Sequence, residues 1–134
     1  MTIENELFNL ALNARTNAYA PYSGFAVGAA ILASEKAMFS GCNVENVSYP
    51  CGTCAETGAI AAMVAAGYRQ IKAILIIADT DEIRPCGNCL QKISEFATPE
   101  TLIYCANLQQ IVKTYRLIDL LPQQFSFSER KDGK

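Results

Sequence analysis

Lys72-Ala73-Ile74-Leu75-Ile76-Ile77-Ala78 is an unbroken apolar run behind one lysine, and it predicts a strand in the middle of a sheet covered on both faces. Its flanks supply the cover. Upstream, Cys54 to Ala66 is helix-biased, and Gly67 is well placed to stop it. Ala59 to Ala66 leave that helix almost no polar face, as expected of one buried in a core or between subunits. Downstream, a polar loop from Asp79 to Arg84 leads to Pro85 and a helix reaching about Phe96.

Further out the same grammar repeats. Leu7, Leu10, Ala11, Ala14 and Ala18 recur at three- and four-residue spacing, predicting a first helix from Ile3 to about Tyr19, ended by Ala20-Pro21-Tyr22-Ser23-Gly24. Phe25 to Ala33 and Ala37 to Cys42 read as strands joined by Ser34-Glu35-Lys36. Asn43 to Thr53 is polar and turn-rich, a functional loop. Thr101 to Cys105 and Ile111 to Tyr115 are further strands, and Arg116 to Leu121 is a short helix stopped by Pro122. Helices alternating with buried strands define a layered α/β domain with helices on both faces of one sheet.

Composition narrows the function. A chain of 134 residues suits one domain with a sound core; at 51% apolar and 18% charged it is slightly apolar for a monomer, which points to subunit interfaces. A net charge of −2 argues against a nucleic-acid partner, which normally meets a basic stripe. No apolar run is long enough to span a bilayer, so no membrane partner is expected. The acidic start Met1-Thr2-Ile3-Glu4-Asn5-Glu6 lacks a secretory signal, so a cytoplasmic location is expected, where six cysteines are thiols or metal ligands. Histidine is absent, which removes Ser-His-Asp and Cys-His chemistry altogether.

The chemistry then falls to cysteines and carboxylates. Cys54-Ala55-Glu56 and Pro85-Cys86-Gly87-Asn88-Cys89 place three thiols and one acid at the first turns of two helices. Three protein ligands leave the fourth position of a tetrahedral zinc open to water. Helix N-termini favour the thiolate form. Glu56, two residues past Cys54, does not share its helix face and is poorly placed to ligate the same ion. It can reach the open side, take a proton from water, and return protons to a ring nitrogen and a leaving amine. Cys42, Cys51 and Cys105 read as small buried hydrophobes, with Cys51 the one rival ligand.

These motifs, with Ala20-Pro21-Tyr22-Ser23, Val27-Gly28-Ala29-Ala30, Gly41-Cys42-Asn43-Val44-Glu45-Asn46 and Leu120-Leu121-Pro122 followed by Phe125, resemble the small homotetrameric zinc-dependent cytidine deaminases over nearly the whole chain. The Cys-x-Glu with Pro-Cys-x-x-Cys pair is a known signature of zinc deaminases. The resemblance implies a three-layer α/β/α fold with a five-stranded mixed sheet, and a catalytic domain over residues 1–127 followed by a polar tail, 128–134. It implies one Zn²⁺ per subunit on Cys54, Cys86 and Cys89, with Glu56 catalytic, and active sites shared between subunits of a homotetramer. It also implies a nucleoside substrate in pyrimidine salvage, with Asn43 and Glu45 on the ribose hydroxyl and Phe25 and Tyr49 near the nucleoside. The backbone of Ala55 would contact the pyrimidine, and Phe125 would approach the base from an adjacent subunit.

Two positions depart from the family pattern. Thr57 and Leu90 stand where many members carry arginine, and three thiolates on Zn²⁺ leave a net negative charge for such arginines to offset. Arg84, two residues before Cys86, is the expected replacement, and Thr57 could offer its hydroxyl to a sulfur. Two other readings compete: a deaminase of a modified cytosine nucleoside such as blasticidin S, and a non-catalytic zinc-stabilised module with Cys51 as fourth ligand.

Overall fold

The computed structural model describes residues 1–127; the tail expected over 128–134 lies outside the described residues. The central run becomes β3 (Ile71–Ala78), with every residue but Lys72 buried. Around it the order is α1 (Ile3–Arg15), β1 (Val27–Ala33), β2 (Met38–Cys42), α2 (Ala55–Ala65), β3, α3 (Gly87–Phe96), β4 (Leu102–Ala106), β5 (Ile111–Arg116) and α4 (Leu117–Leu120). One five-stranded sheet runs β2-β1-β3-β4-β5. Only β3 and β4 pair in parallel, because α3 crosses over between them, and the other pairs are antiparallel. The sheet is therefore mixed.

Two cores separate its faces. Leu7 and Ala11 of α1 pack with Ala30, Leu75, Ile77 and Ala106. On the other face Ala59, Ile60 and Met63 of α2 and Ile93 of α3 pack with Ile31, Ile74, Ile76 and Ile103. Successive residues of β1 and β3 thus alternate between two apolar layers, which is why β3 shows no polar alternation. Glycines let the helices approach. A Cβ at Gly28 would lie 2.2 Å from the Ala11 carbonyl oxygen of α1, and one at Gly41 would lie 2.4 Å from the Ala59 nitrogen of α2.

Several boundaries differ from the sequence expectation, each for a local reason. The first helix ends at Arg15 rather than Tyr19: Thr16 hydrogen-bonds the Asn13 carbonyl through both its amide and its hydroxyl. Tyr19 then leaves to bridge Val44. Strand β1 begins at Val27 because the Phe25 carbonyl accepts from the Asn43 side chain instead of joining the ladder. Helix α3 begins at Gly87, with Cys86 as its N-cap and buried Pro85 just before it. The hairpin between β1 and β2 turns through Glu35 (φ 59°) and Lys36 (φ 65°), two consecutive left-handed residues without glycine. Helix α2 is not enclosed on every side within one chain: Ala61, Ala65 and Ala66 are exposed, leaving an apolar strip uncovered. No helix of the described residues is long and apolar enough to cross a membrane.

Candidate active site

Two helix starts converge. Cys54 is the N-cap of α2 and Cys86 the N-cap of α3, and neither side chain caps its helix. Cys89 lies in the first turn of α3 and is buried. The three Sγ atoms lie within 4.8 Å of one another. Sulfurs held about 2.3 Å from a tetrahedral zinc sit about 3.8 Å apart, so the cluster needs little adjustment to hold the ion. Cys51 lies outside this group and is exposed in the single turn Tyr49–Cys51, neither a fourth ligand nor the buried hydrophobe expected. Cys105 does behave as a buried hydrophobe, and burial pushes its thiol up to about 11. Cys42 is half-buried in β2.

Electrostatics make the same point. The Cys86 thiol is held below the usual range, chiefly by the backbone N–H of Cys89 at the start of α3. The Cys54 and Cys89 thiols are pushed up, first by burial and then by the neighbouring negative groups. The expectation that a helix N-terminus lowers the thiol therefore holds for Cys86 and fails for Cys54, where desolvation wins. Three thiolates and a carboxylate packed this closely call for a cation, and a divalent thiophilic ion fits the donor set.

Glu56 is 5% exposed. Burial pushes its carboxyl up, opposed by its own backbone N–H, by the Cys89 thiol and by the charge of Lys92. It lines a cavity of about 630 Å³ together with Phe25, Asn43, Glu45, Tyr49 and Ala55, and Cys54 and Cys86 border the same space. A cavity of that size suits a small organic ligand. Phe25 is 41% exposed, a cavity wall and not a core residue.

The polar wall is held by its own hydrogen bonds. Asn43 Oδ1 accepts from the Val27 amide at 2.9 Å, and its Nδ2 donates to the Phe25 carbonyl at 2.8 Å. Glu45 Oε1 accepts the amides of Tyr22 and Ser23 at 3.0 and 3.1 Å, and the Ser23 hydroxyl donates to Oε2. Those donors, Ser23 first, keep the Glu45 carboxyl below its ordinary value. Glu45 is thus partnered by donors of the Tyr22–Ser23 loop. Tyr22 and Ser23 also line the cavity, with the Tyr22 and Tyr49 rings 5.9 Å apart. Sequence reasoning gave neither a role of its own, although Tyr22-Ser23 after a Pro-containing turn was visible.

Phe125, expected at an adjacent subunit's site, lies outside its own chain's cavity; it is 70% exposed, packs on Phe127, and exchanges backbone hydrogen bonds with the Gln91 side chain. Two other placements change. Arg84 borders the cavity, and its ion-pair partner is Glu82 at 3.5 Å rather than a group of the thiol cluster. The Thr57 hydroxyl meets the ammonium of Lys92 at 2.9 Å instead of a sulfur. Lys92 lies three residues past Cys89, on the same side of α3, a helical spacing that could have been read from the sequence.

An α/β/α domain with three thiols at two helix N-termini and a buried acid beside them defines a zinc-dependent hydrolase. Residues 1–105 match the family model described as the cytidine and deoxycytidylate deaminase zinc-binding region. The chain is 42% identical over 114 residues to the cytidine deaminase of Sporosarcina psychrophila, covering 84% of each. It is 38% identical over 126 residues to that of Mycobacterium tuberculosis, covering 93% of this chain and 91% of the relative. The crystal structure of cytidine deaminase from Burkholderia pseudomallei superposes with a TM-score of 0.87 at 42% identity, covering 93% of this chain and all (100%) of the other. The protein belongs to the cytidine and deoxycytidylate deaminase zinc-binding family, and its cofactor is zinc.

Proposed function

We propose that the protein hydrolyses cytidine and deoxycytidine to uridine and deoxyuridine with release of ammonia, serving pyrimidine salvage in the cytoplasm. The observation that carries this reading is the buried Glu56 beside the Cys54–Cys86–Cys89 cluster at the edge of the cavity. When bound there, zinc supplies a Lewis acid with an open position that acidifies water toward a pKa of about 7.

The chain's own residues do the rest. Glu56 removes a proton from water as its oxygen attacks C4 of the pyrimidine, and delivers protons to N3 and to the departing amine. Water is consumed and ammonia leaves, so the atoms balance. Burial suits the acid to this exchange, because a carboxyl raised by desolvation is a better proton acceptor than one in water. Phe25 and Tyr49 offer aromatic faces to a flat ring, and the backbone at Ala55 addresses the pyrimidine edge. Asn43 and Glu45, fixed by their loop bonds, keep further donor and acceptor capacity for the ribose hydroxyl.

The active unit in this reading is a homotetramer with shared sites. Three features support it: the uncovered alanine strip of α2, the exposed Phe125 and Phe127, and exposed Tyr49 at the cavity with exposed Val47 in the same loop. Phe125 then reaches the base in a neighbouring copy's cavity. The acidic charge balance fits a free nucleoside rather than a polynucleotide. An ammonia-release assay of the zinc-loaded protein across cytidine, deoxycytidine, cytosine and blasticidin S tests the assignment. Turnover of both nucleosides with little on the other two is expected. Turnover of blasticidin S alone, or of none, overturns it.

A further inference from the structure

We propose that Lys92 is the counter-charge of the metal site, a positioning residue that lets an all-thiolate centre retain its ion. The inference rests on the assignment of Cys54, Cys86 and Cys89 as zinc ligands. Three thiolates around a divalent ion leave one net negative charge, and the carboxylate of Glu56 lies next to it in a buried setting. Charge of one sign, taken out of water, is costly unless a cation faces it.

Lys92 is the cation in place. It is half-buried on α3, three residues beyond Cys89, which puts it one turn along the same side of the helix. Its Nζ donates to Thr57 Oγ1 at 2.9 Å. Thr57 directly follows Glu56 and lies three residues past Cys54, so the bond spans from α3 to the first turn of α2. The ammonium is thereby fixed between the two helix starts that carry all three sulfurs. Arg84, by contrast, is engaged with Glu82. A neutral staple could also join the helices, but it could not offset the negative charge.

The experiment separates charge from stapling. Zinc loss from the purified protein to a chromophoric chelator is timed for wild type, Lys92→Gln, Lys92→Arg and Thr57→Val, with folding checked by circular dichroism. Lys92→Gln can still hydrogen-bond Thr57 but is neutral, and it is expected to lose zinc about tenfold faster, the lower end for outer partners of a metal site. Lys92→Arg keeps the charge and should stay within about twofold of wild type, and Thr57→Val should fall between. A folded Lys92→Gln that holds zinc like wild type overturns the proposal, as does Lys92→Arg losing it as fast as Lys92→Gln. A wild-type protein that binds no zinc fails differently: it removes the ligand assignment itself.

Discussion

Gly41 of β2 lies against Ala59 of α2 with no room for a side chain: a Cβ at position 41 would stand 2.4 Å from the Ala59 nitrogen and 2.6 Å from the Ala55 carbonyl oxygen. Those are backbone atoms that cannot turn aside, so the helix itself would have to move. The same helix carries Cys54 at its start and Glu56 in its first turn. Packing between strand and helix therefore sets the position of the acid. Gly41→Ala should destabilise the fold by about 1–3 kcal/mol, as overpacking does, and lower kcat in the fraction that folds. Denaturant unfolding with single-substrate kinetics reads both. An unchanged midpoint with full turnover would mean that α2 is not held by this contact.

Glu56→Gln keeps the shape and burial of the side chain but removes its ability to take a proton. Turnover should fall by about 10²–10⁴, the usual worth of a positioned acid–base group, while zinc content stays at the wild-type level. Deamination by Glu56→Gln at a near-normal rate would remove Glu56 from the chemistry.

Glu45 organises one wall of the cavity by holding the amides of Tyr22 and Ser23. Its carboxyl lies below its ordinary value, so it gains protons less readily folded than unfolded. The hold is therefore complete above the ordinary glutamate range and is released only as pH falls through the lowered folded value. Across neutral pH the loop should not respond to acid. Glu45→Ala removes the hold at every pH, and KM for cytidine should rise by at least tenfold with a smaller effect on kcat. A KM unchanged in Glu45→Ala would assign the wall to other residues.

The turn Ser34–Ala37 places Glu35 and Lys36 in left-handed conformations that cost a non-glycine residue roughly 1–2 kcal/mol each. Asn-Gly is the pair such a hairpin turn prefers. The double substitution Glu35→Asn with Lys36→Gly should raise stability by about 1 kcal/mol without touching turnover, measured as a shift in the thermal midpoint. A lowered midpoint would show that the side chains of Glu35 and Lys36 matter more than their backbone.

The cysteines should sort by environment toward a thiol reagent. In zinc-loaded protein, exposed Cys51 reacts first and half-buried Cys42 slowly. Cys105, 3% exposed with its thiol pushed up to about 11, stays silent. Stripping zinc with a chelator adds exposed Cys54 and Cys86 to the reactive set. Rapid modification of both with zinc still bound would contradict their role as ligands.

The sequence was most legible where one physical signal dominated. The run through Ile74 to Ile77 could only be a doubly covered strand, and the spacing of Cys54, Cys86 and Cys89 at two helix starts predicted their meeting in space. The strand number and mixed character of the sheet came through the family resemblance, while its order was legible from neither periodicity nor resemblance. What the sequence hid were relations between distant residues of similar character. The spacing of Lys92 from Cys89 was readable, but its partner was not: Arg84 and Lys92 both flank the Cys86–Cys89 pair, and the path of the chain decides that Arg84 meets Glu82 and Lys92 meets Thr57. Nor does anything local show how Glu45 is held, because its donors, Tyr22 and Ser23, lie more than twenty residues away. The end of α1 was misjudged because Ala18 continues the helical spacing, whereas Thr16 turns the chain so that Tyr19 can pair with Val44.

X-ray absorption at the zinc edge on the purified protein tests the central claim most directly, because it counts sulfur neighbours without reference to activity. Three sulfurs at about 2.3 Å with one lighter atom at about 2.0 Å are predicted. Four sulfurs would show a closed structural centre with no place for the reacting water, and the proposed hydrolysis would have no nucleophile.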